Sequence, residues 1–249
     1  MRRPSARHAL PAFLLLAGTG AHAGSVPTGP AGAQPVDVAL VLALDVSGSV
    51  SDGDFILQRS GYASAFADRR VVDALTSGPY GSAAVTLVQW SGAGEQTQVV
   101  GWTVLRDQRS ALAFGGVVLK MSRLYNRQTA VGDAIDYAAT LLEDAPYPAA
   151  RRVIDVSGDG RNNSGGPADE ARDRAVAEGD TINGLPILGR EEGVDRWYAA
   201  HVIGGPEAFL VSVADMADFA EALKTKLLRE VKTARPAEDP PRGFAGPDR

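Results

Sequence analysis

The stretch "DVALVLALDVSGSVSDGDF" at residues 37–55 joins a buried strand to a polar loop. Residues 37–45 form a nearly continuous apolar run of strand length, typical of a strand covered on both faces. The run ends on Asp45, and Ser47 and Ser49 follow at alternating positions before a helix begins. The stretch therefore predicts a strand that brings one carboxylate and two hydroxyls to the edge of a sheet.

The rest of the chain alternates between strand-like and helix-like segments. We expect further strands at 83–90, 97–102, 151–157, 181–189 and 209–213, and helices at 53–75, 107–121, 131–144, 167–179, 194–203 and 215–232. Such alternation favours an α/β fold: a doubly wound, mostly parallel central sheet with helices on both faces. The segment 97–102 alternates like a short, antiparallel edge strand.

The two ends of the chain differ in composition from the region between them. Residues 1–23 have a basic start, a short apolar core and the small-x-small sequence Ala21-His22-Ala23, the pattern of a secretory signal peptide. A disordered or weakly helical start is the alternative. Residues 24–35 read as a Pro/Gly/Ala linker and residues 233–249 as a disordered tail. We expect one domain at 36–232, in a periplasmic or secreted protein without a membrane anchor.

Composition excludes several classes of function. The net charge is −5, which does not favour sequence-independent binding to nucleic acid or to an anionic membrane. The chain has no cysteine, so disulfides, thiolate catalysis and thiolate-bound metals are excluded. Any metal site must use oxygen or nitrogen ligands.

Polar side chains recur where predicted strands end. Asp159 leaves the strand at 151–157, and Thr129 precedes the helix at 131–144. Together with Asp45, Ser47 and Ser49 they offer only oxygen, which suits a hard cation: Mg²⁺, with Mn²⁺ or Ca²⁺ as alternatives. Two carboxylates and neutral hydroxyls leave such a cation electron-deficient. The carboxylate of an acidic partner residue could complete its coordination.

The motifs around these residues resemble those of a known family. "DVSGSV" resembles the DxSxS signature of von Willebrand factor type A domains, which bind a divalent cation at a metal-ion-dependent adhesion site. "TAVGDAI" is similar to the threonine loop of that family and "VIDVSGDGRNN" to its final-aspartate loop. The resemblance covers residues 36–232 and is closest to exported bacterial proteins with a single such domain. It implies a Rossmann-like fold and a protein-binding function.

The resemblance also implies a role for each oxygen ligand. Ser47 and Ser49 would contact the metal directly, Thr129 directly or through water, and Asp45 and Asp159 directly or mainly through water. One departure is Gly158, where a threonine or serine is common before the aspartate. That position need not be a ligand. Family members often change affinity by moving the C-terminal helix, which corresponds to residues 215–232.

Less specific interpretations stay open at this stage. Ser51 or Asp52 could cap the helix while Ser47 and Ser49 only satisfy loop amides, and Thr129 could be only a helix cap. We expect no enzyme activity, but a metal-assisted hydrolase that uses Asp45 is an alternative, as is a structural envelope domain with a vestigial site. The hydrolase would need an acid or base and a phosphate clamp, for which His201 and Arg161 are weak candidates.

Overall fold

The computed structural model describes residues 33–232, and its centre is a five-stranded sheet. The strands are β1 (Val36–Asp45), β2 (Ala83–Trp90), β3 (Gln96–Leu105), β4 (Ala149–Gly158) and β5 (Thr181–Pro186). Their order across the sheet is β3-β2-β1-β4-β5. All neighbouring pairs are parallel except β2 and β3, so the predicted antiparallel edge strand is confirmed.

Seven α-helices flank the sheet in the described part of the chain. They are α1 (Asp52–Ala67), α2 (Arg69–Leu75), α3 (Gln108–Lys120), α4 (Val131–Glu143), α5 (Ala168–Ala177), α6 (Val194–His201) and α7 (Phe219–Lys232), the last preceded by a 3-10 turn at Met216–Asp218. Helices α1, α2, α3 and α7 cover one face, while α4, α5 and α6 cover the other. The predicted doubly wound α/β fold is confirmed.

The central strand β1 explains why both faces must be covered. Its even-numbered residues from Val38 to Leu44 lie in the core on the α1 and α7 side, and Ala39, Val41 and Ala43 lie in the core on the α4 side. Side chains alternate between the two faces of a strand. A continuous apolar run can therefore be buried only between two helical layers.

Two predicted elements need correction. The helix expected over 53–75 is divided, because Asp68 ends α1 and caps α2 by accepting a hydrogen bond from the Arg70 amide. The strand expected at 209–213 is not continuous: this segment lies beside β5 and exchanges backbone hydrogen bonds with residues 184–188, but it forms only isolated bridges at Leu210 and Val213. Pro186 of β5 has no amide hydrogen for a continuous ladder.

The sheet places two loops next to each other. β1 and β4 are parallel neighbours, and the helices that follow them, α1 and α5, lie on opposite faces. This is the point of a doubly wound sheet at which ligands bind, outside the carboxyl ends of the strands. The signal peptide predicted at 1–23, most of the linker predicted at 24–35 and the tail predicted at 233–249 lie outside the described residues.

Candidate metal centre

The loop after β1 is folded by its own side chains. Asp45 is fully buried, and its Oδ1 accepts a hydrogen bond from the Ser47 amide at 2.7 Å. The hydroxyls of Ser47 and Ser49 are 3.2 Å apart. Ser51 caps α1 through a capping box with Asp54, as the less specific interpretation of this loop expected.

Asp159, from the loop after β4, joins this cluster directly. The Ser49 hydroxyl donates to Asp159 Oδ1 at 2.5 Å, across 110 residues of sequence. Asp159 is 2% exposed. Four of the five predicted site residues thus form one hydrogen-bonded chain in the order Asp45, Ser47, Ser49, Asp159.

Thr129, the fifth predicted residue, lies on the loop that closes the cluster. Thr129 and Asn163 exchange two hydrogen bonds, one from the Thr129 amide to Asn163 Oδ1 and one from the Asn163 amide to the Thr129 carbonyl. A Cβ on Gly160, next to Asp159, would lie 3.9 Å from the Thr129 hydroxyl. The N-cap of α4 is Ala130, without a side-chain cap, so the interpretation of Thr129 as a helix cap is wrong.

Gly48 allows the loop that carries Ser47 and Ser49 (the serine loop) to approach the loop that carries Arg127 and Thr129 (the Thr129 loop). Its amide donates to the Arg127 carbonyl at 2.6 Å, and a Cβ at this position would lie 3.0 Å from the Asn126 carbonyl oxygen. Few real Cβ atoms make contacts that close. The glycine between the two serines therefore has a packing role as well as a place in the motif.

The two carboxylates of the site carry uncompensated charge. Asp45 Oδ2 is buried and has no hydrogen-bond partner among the described residues. Burial, with added repulsion from Asp159, raises the pKa of Asp45 to about 7. Burial also raises the pKa of Asp159, although the Ser49 hydroxyl and Arg190 oppose this shift. A bound cation would relieve both penalties.

The donor set fits a hard divalent cation. Two carboxylates and three hydroxyls from three loops converge on one edge of the sheet, and such oxygen ligands suit Mg²⁺, Mn²⁺ or Ca²⁺. Residues 33–232 contain no group of three or more His, Cys, Asp or Glu side chains placed to hold a metal. A metal held here would therefore need further oxygen ligands beside the two carboxylates, from hydroxyls, backbone carbonyls or water.

Several residues that shape the site were not predicted from the sequence. Arg123, with a side chain that is 16% exposed, donates to the carbonyls of Val46 and Ser47 and thereby holds the serine loop. Asn162 accepts from the Gly132 amide and ties the Asp159 loop to α4. The only sequence signal was the Asn/Gly-rich composition of that loop. Nothing in the sequence marked Arg123.

Three acidic residues lie at helix starts near the site. The Asp52 side chain is 97% exposed beside Arg123, as expected of a solvated charge. Asp54 instead belongs to the capping box and pairs with Arg190 at 3.1 Å. Asp133 accepts from the Gly166 amide at 2.8 Å and so braces the Asp159 loop.

The residues that a hydrolase would need are engaged elsewhere. The His201 ring stacks on Trp197, and its Nδ1 lies 3.0 Å from the Trp197 carbonyl oxygen. Arg161 pairs with Glu191 at 3.1 Å and donates to the Glu192 carbonyl. No helix within residues 33–232 is long and apolar enough to cross a membrane.

Comparisons with known proteins give one family match. A family model described as "Protein of unknown function (DUF1194)" matches residues 35–235. A search of curated proteins finds no match.

Solved structures with similar folds include proteins of three sources. Proximal thread matrix protein 1 of the mussel byssus, with a zinc-occupied MIDAS motif, matches with 20% identity and a TM-score of 0.57, over 80% of this chain and 46% of its own. A von Willebrand factor type A protein from Catenulispora acidiphila matches with 21% identity and a TM-score of 0.53; the match covers 78% of this chain and 42% of that protein. Manganese-loaded TRAP of Plasmodium vivax matches with 18% identity and a TM-score of 0.51; the match covers 77% of this chain and 73% of that protein. This chain thus spans less than half of the byssus protein, and the likeness is one of fold.

Proposed function

Since this chain belongs to the family described as "Protein of unknown function (DUF1194)" and has the fold of von Willebrand factor type A domains, we propose that it is a divalent-cation-dependent protein-binding module. The observation that carries the proposal is the convergence of five oxygen-bearing side chains at the switch point of the sheet, with Asp45 Oδ2 buried and unpartnered. The ligands are Asp45, Ser47, Ser49, Thr129 and Asp159. The cation is Mg²⁺, with Mn²⁺ and Ca²⁺ as alternatives.

The proposed partner is a protein that presents an Asp or Glu carboxylate. A bound cation supplies a Lewis-acidic centre for that carboxylate, while Ser47 and Ser49 contribute no charge of their own. Beside Asp159 lies a groove of about 210 Å³, lined also by Asp54, Arg190 and Met216. Arg190 offers a cation at its rim, although Asp54 already pairs with it. This groove is where the residues flanking the partner's carboxylate would lie.

Export and the absence of catalysis are part of the same proposal. The signal-peptide pattern at residues 1–23 supports a periplasmic or secreted location. The engagement of His201 and Arg161 in other contacts supports a binding role rather than hydrolysis.

Calorimetric titration with Mn²⁺ and Mg²⁺ tests the metal centre. We expect saturable binding that Ser47→Ala weakens by at least about tenfold, because the variant removes an inner ligand. Ser64→Ala, which changes an exposed serine of α1, is the control and should bind as the wild type does. Absence of binding by the folded wild type would contradict the proposal.

The carboxylate step needs a second titration. A short peptide with a central Asp should bind the Mn²⁺-loaded protein, whereas the same peptide with Asn should not. Chelation of the metal should abolish peptide binding. Equal binding of both peptides, or hydrolysis of a generic phosphoester that Asp45→Asn abolishes, would argue against a carboxylate-binding module.

Cation affinity should depend on pH. Because the pKa of Asp45 is raised to about 7, the metal must displace a proton from this carboxyl at lower pH. We expect affinity to fall by about tenfold per pH unit below about pH 7 and to be constant above about pH 8. Calorimetry in two buffers of different ionisation enthalpy would count the released proton. Constant affinity from pH 5.5 to 8, with no proton release, would contradict the assignment of Asp45.

A further inference from the structure

Tyr198 of α6 is a buried polar residue without a role in the site as described so far. It is 0% exposed, and its hydroxyl has no hydrogen-bond partner among the described residues. Buried hydroxyls in proteins nearly always have a partner, so each exception needs an explanation. Burial, together with the nearby Asp45 and Asp159, raises the pKa of Tyr198 well above its ordinary value. The hydroxyl therefore stays protonated and remains a hydrogen-bond donor.

Gly158 shows where this hydroxyl lies. A Cβ at Gly158 would be 2.6 Å from the Tyr198 hydroxyl oxygen, 2.9 Å from Asp45 Oδ2 and 3.3 Å from a ring carbon of Trp90. Real Cβ atoms essentially never approach other atoms that closely. The two unpartnered oxygens therefore flank the same small space, and only glycine fits beside them at the end of β4.

The two oxygens are also chemically complementary. An ionised carboxylate oxygen can accept more than one hydrogen bond, so Asp45 Oδ2 can accept from a tyrosine and still face a cation or its water. A charge-assisted hydrogen bond of this kind fixes the carboxylate and offsets part of its burial cost. Second-layer donors of this type commonly hold metal ligands in place.

We propose that Tyr198 is a positioning residue of the metal centre, whose hydroxyl donates a hydrogen bond to Asp45 Oδ2 in the metal-loaded protein. It supplies from α6 the hydroxyl that the glycine at position 158 lacks. This inference rests on the proposed metal site. It adds a residue that is distant in sequence from all three loops of that site.

Tyr198→Phe tests the inference, since it removes one oxygen and keeps the ring. We expect Mn²⁺ affinity to fall by about tenfold, while the metal-free variant melts within a few degrees of the wild type. Tyr62→Phe is the matched control. Tyr62 is also fully buried with an unpartnered hydroxyl, but it lies in the core on the opposite face of the sheet. Its variant should keep wild-type affinity.

The stability of the metal-free variant separates positioning from packing. A residue that only fills space would lower stability and Mn²⁺ affinity together, whereas loss of the Tyr198 hydroxyl should lower affinity alone. Gly158→Ser offers no rescue, because its Cβ would lie 2.6 Å from the Tyr198 hydroxyl oxygen and 2.9 Å from Asp45 Oδ2.

The outcomes distinguish this inference from the proposed function. Equal Mn²⁺ affinity of the wild type and Tyr198→Phe would overturn the role of Tyr198 and leave the metal centre standing. A folded wild type that binds no Mn²⁺ would overturn both. Parallel losses of Mn²⁺ affinity and of metal-free stability in Tyr198→Phe would show that Tyr198 only fills space.

Discussion

Asp45→Asn should abolish divalent-cation binding and, at pH 8, make the metal-free protein more stable than the wild type. The metal loses its buried anionic ligand, and we expect affinity to fall by more than about a hundredfold. The gain in stability has the same origin. At pH 8 the wild-type carboxylate is ionised, fully buried and close to Asp159, with Oδ2 unpartnered.

The pH dependence fixes the sign of this effect. The pKa of Asp45 in the folded protein is about 7, against an ordinary value of 3.8, so the folded protein holds this proton more tightly than the unfolded chain. The carboxyl costs no stability near pH 4, and its cost grows with pH and is complete above pH 7. At about 1.4 kcal/mol per pKa unit, the cost reaches about 4 kcal/mol. Asp45→Asn should remove roughly half of this cost in the free energy of unfolding, because the asparagine side-chain amide is itself polar and buried in the same place.

Denaturant unfolding of metal-free protein at pH 8 and pH 4 would measure this difference. Asp45→Asn should raise the free energy of unfolding by about 2 kcal/mol at pH 8 and change it little at pH 4. Asp37→Asn is the control at the other end of β1. Both Asp37 oxygens accept backbone hydrogen bonds, from the Tyr80 and Ser82 amides, so this variant should lose stability and keep its metal affinity. A destabilised Asp45→Asn at pH 8 would show that Asp45 is a structural acceptor.

The positions of Asp45 and Asp159 could be predicted because each lies at the end of a strand with a strong local signal. The apolar run of β1 marks Asp45 as its last residue, and "VIDVS" marks the end of β4 just before Asp159. Parallel strands bring both ends to one edge of the sheet. The proximity of the two loops, which lets the Ser49 hydroxyl donate to Asp159, then follows from topology.

Contacts between distant segments could not be predicted. Arg123 donates a hydrogen bond to the Ser47 carbonyl, 76 residues away in sequence. Tyr198 approaches Asp45 from α6. The helix or strand periodicity of the sequence does not show which distant residue either of them contacts. The strand at 209–213 was predicted only in part for a related reason. The segment exchanges backbone hydrogen bonds with residues 184–188, but Pro186 has no amide hydrogen to donate, so the ladder is interrupted there.

Lys226→Met should be among the most destabilising single substitutions in the chain. Lys226 of α7 is 0% exposed, and its Nζ lies 2.8 Å from Asp155 Oδ1 of β4 and 2.9 Å from Glu230 Oε1. Burial alone would lower the pKa of Lys226, but these two carboxylates outweigh it and raise the pKa. Removal of the ammonium leaves Asp155 as a fully buried carboxylate without a cation. Loss of one partner from a buried ion pair costs about 3–5 kcal/mol.

The expected loss should be measured by denaturant unfolding, with two companion variants. Lys224→Met removes a lysine two residues away that pairs with the largely exposed Glu221, and should cost less than about 1 kcal/mol. Lys226→Met/Asp155→Leu removes both charges and should recover much of the loss, since an apolar pair is no worse than an ion pair in such a core. Glu230 keeps its two hydrogen bonds from Asn183 in every variant. If Lys226→Met cost no more than Lys224→Met, the pair would not hold α7 against β4, the strand that carries Asp159 to the metal centre.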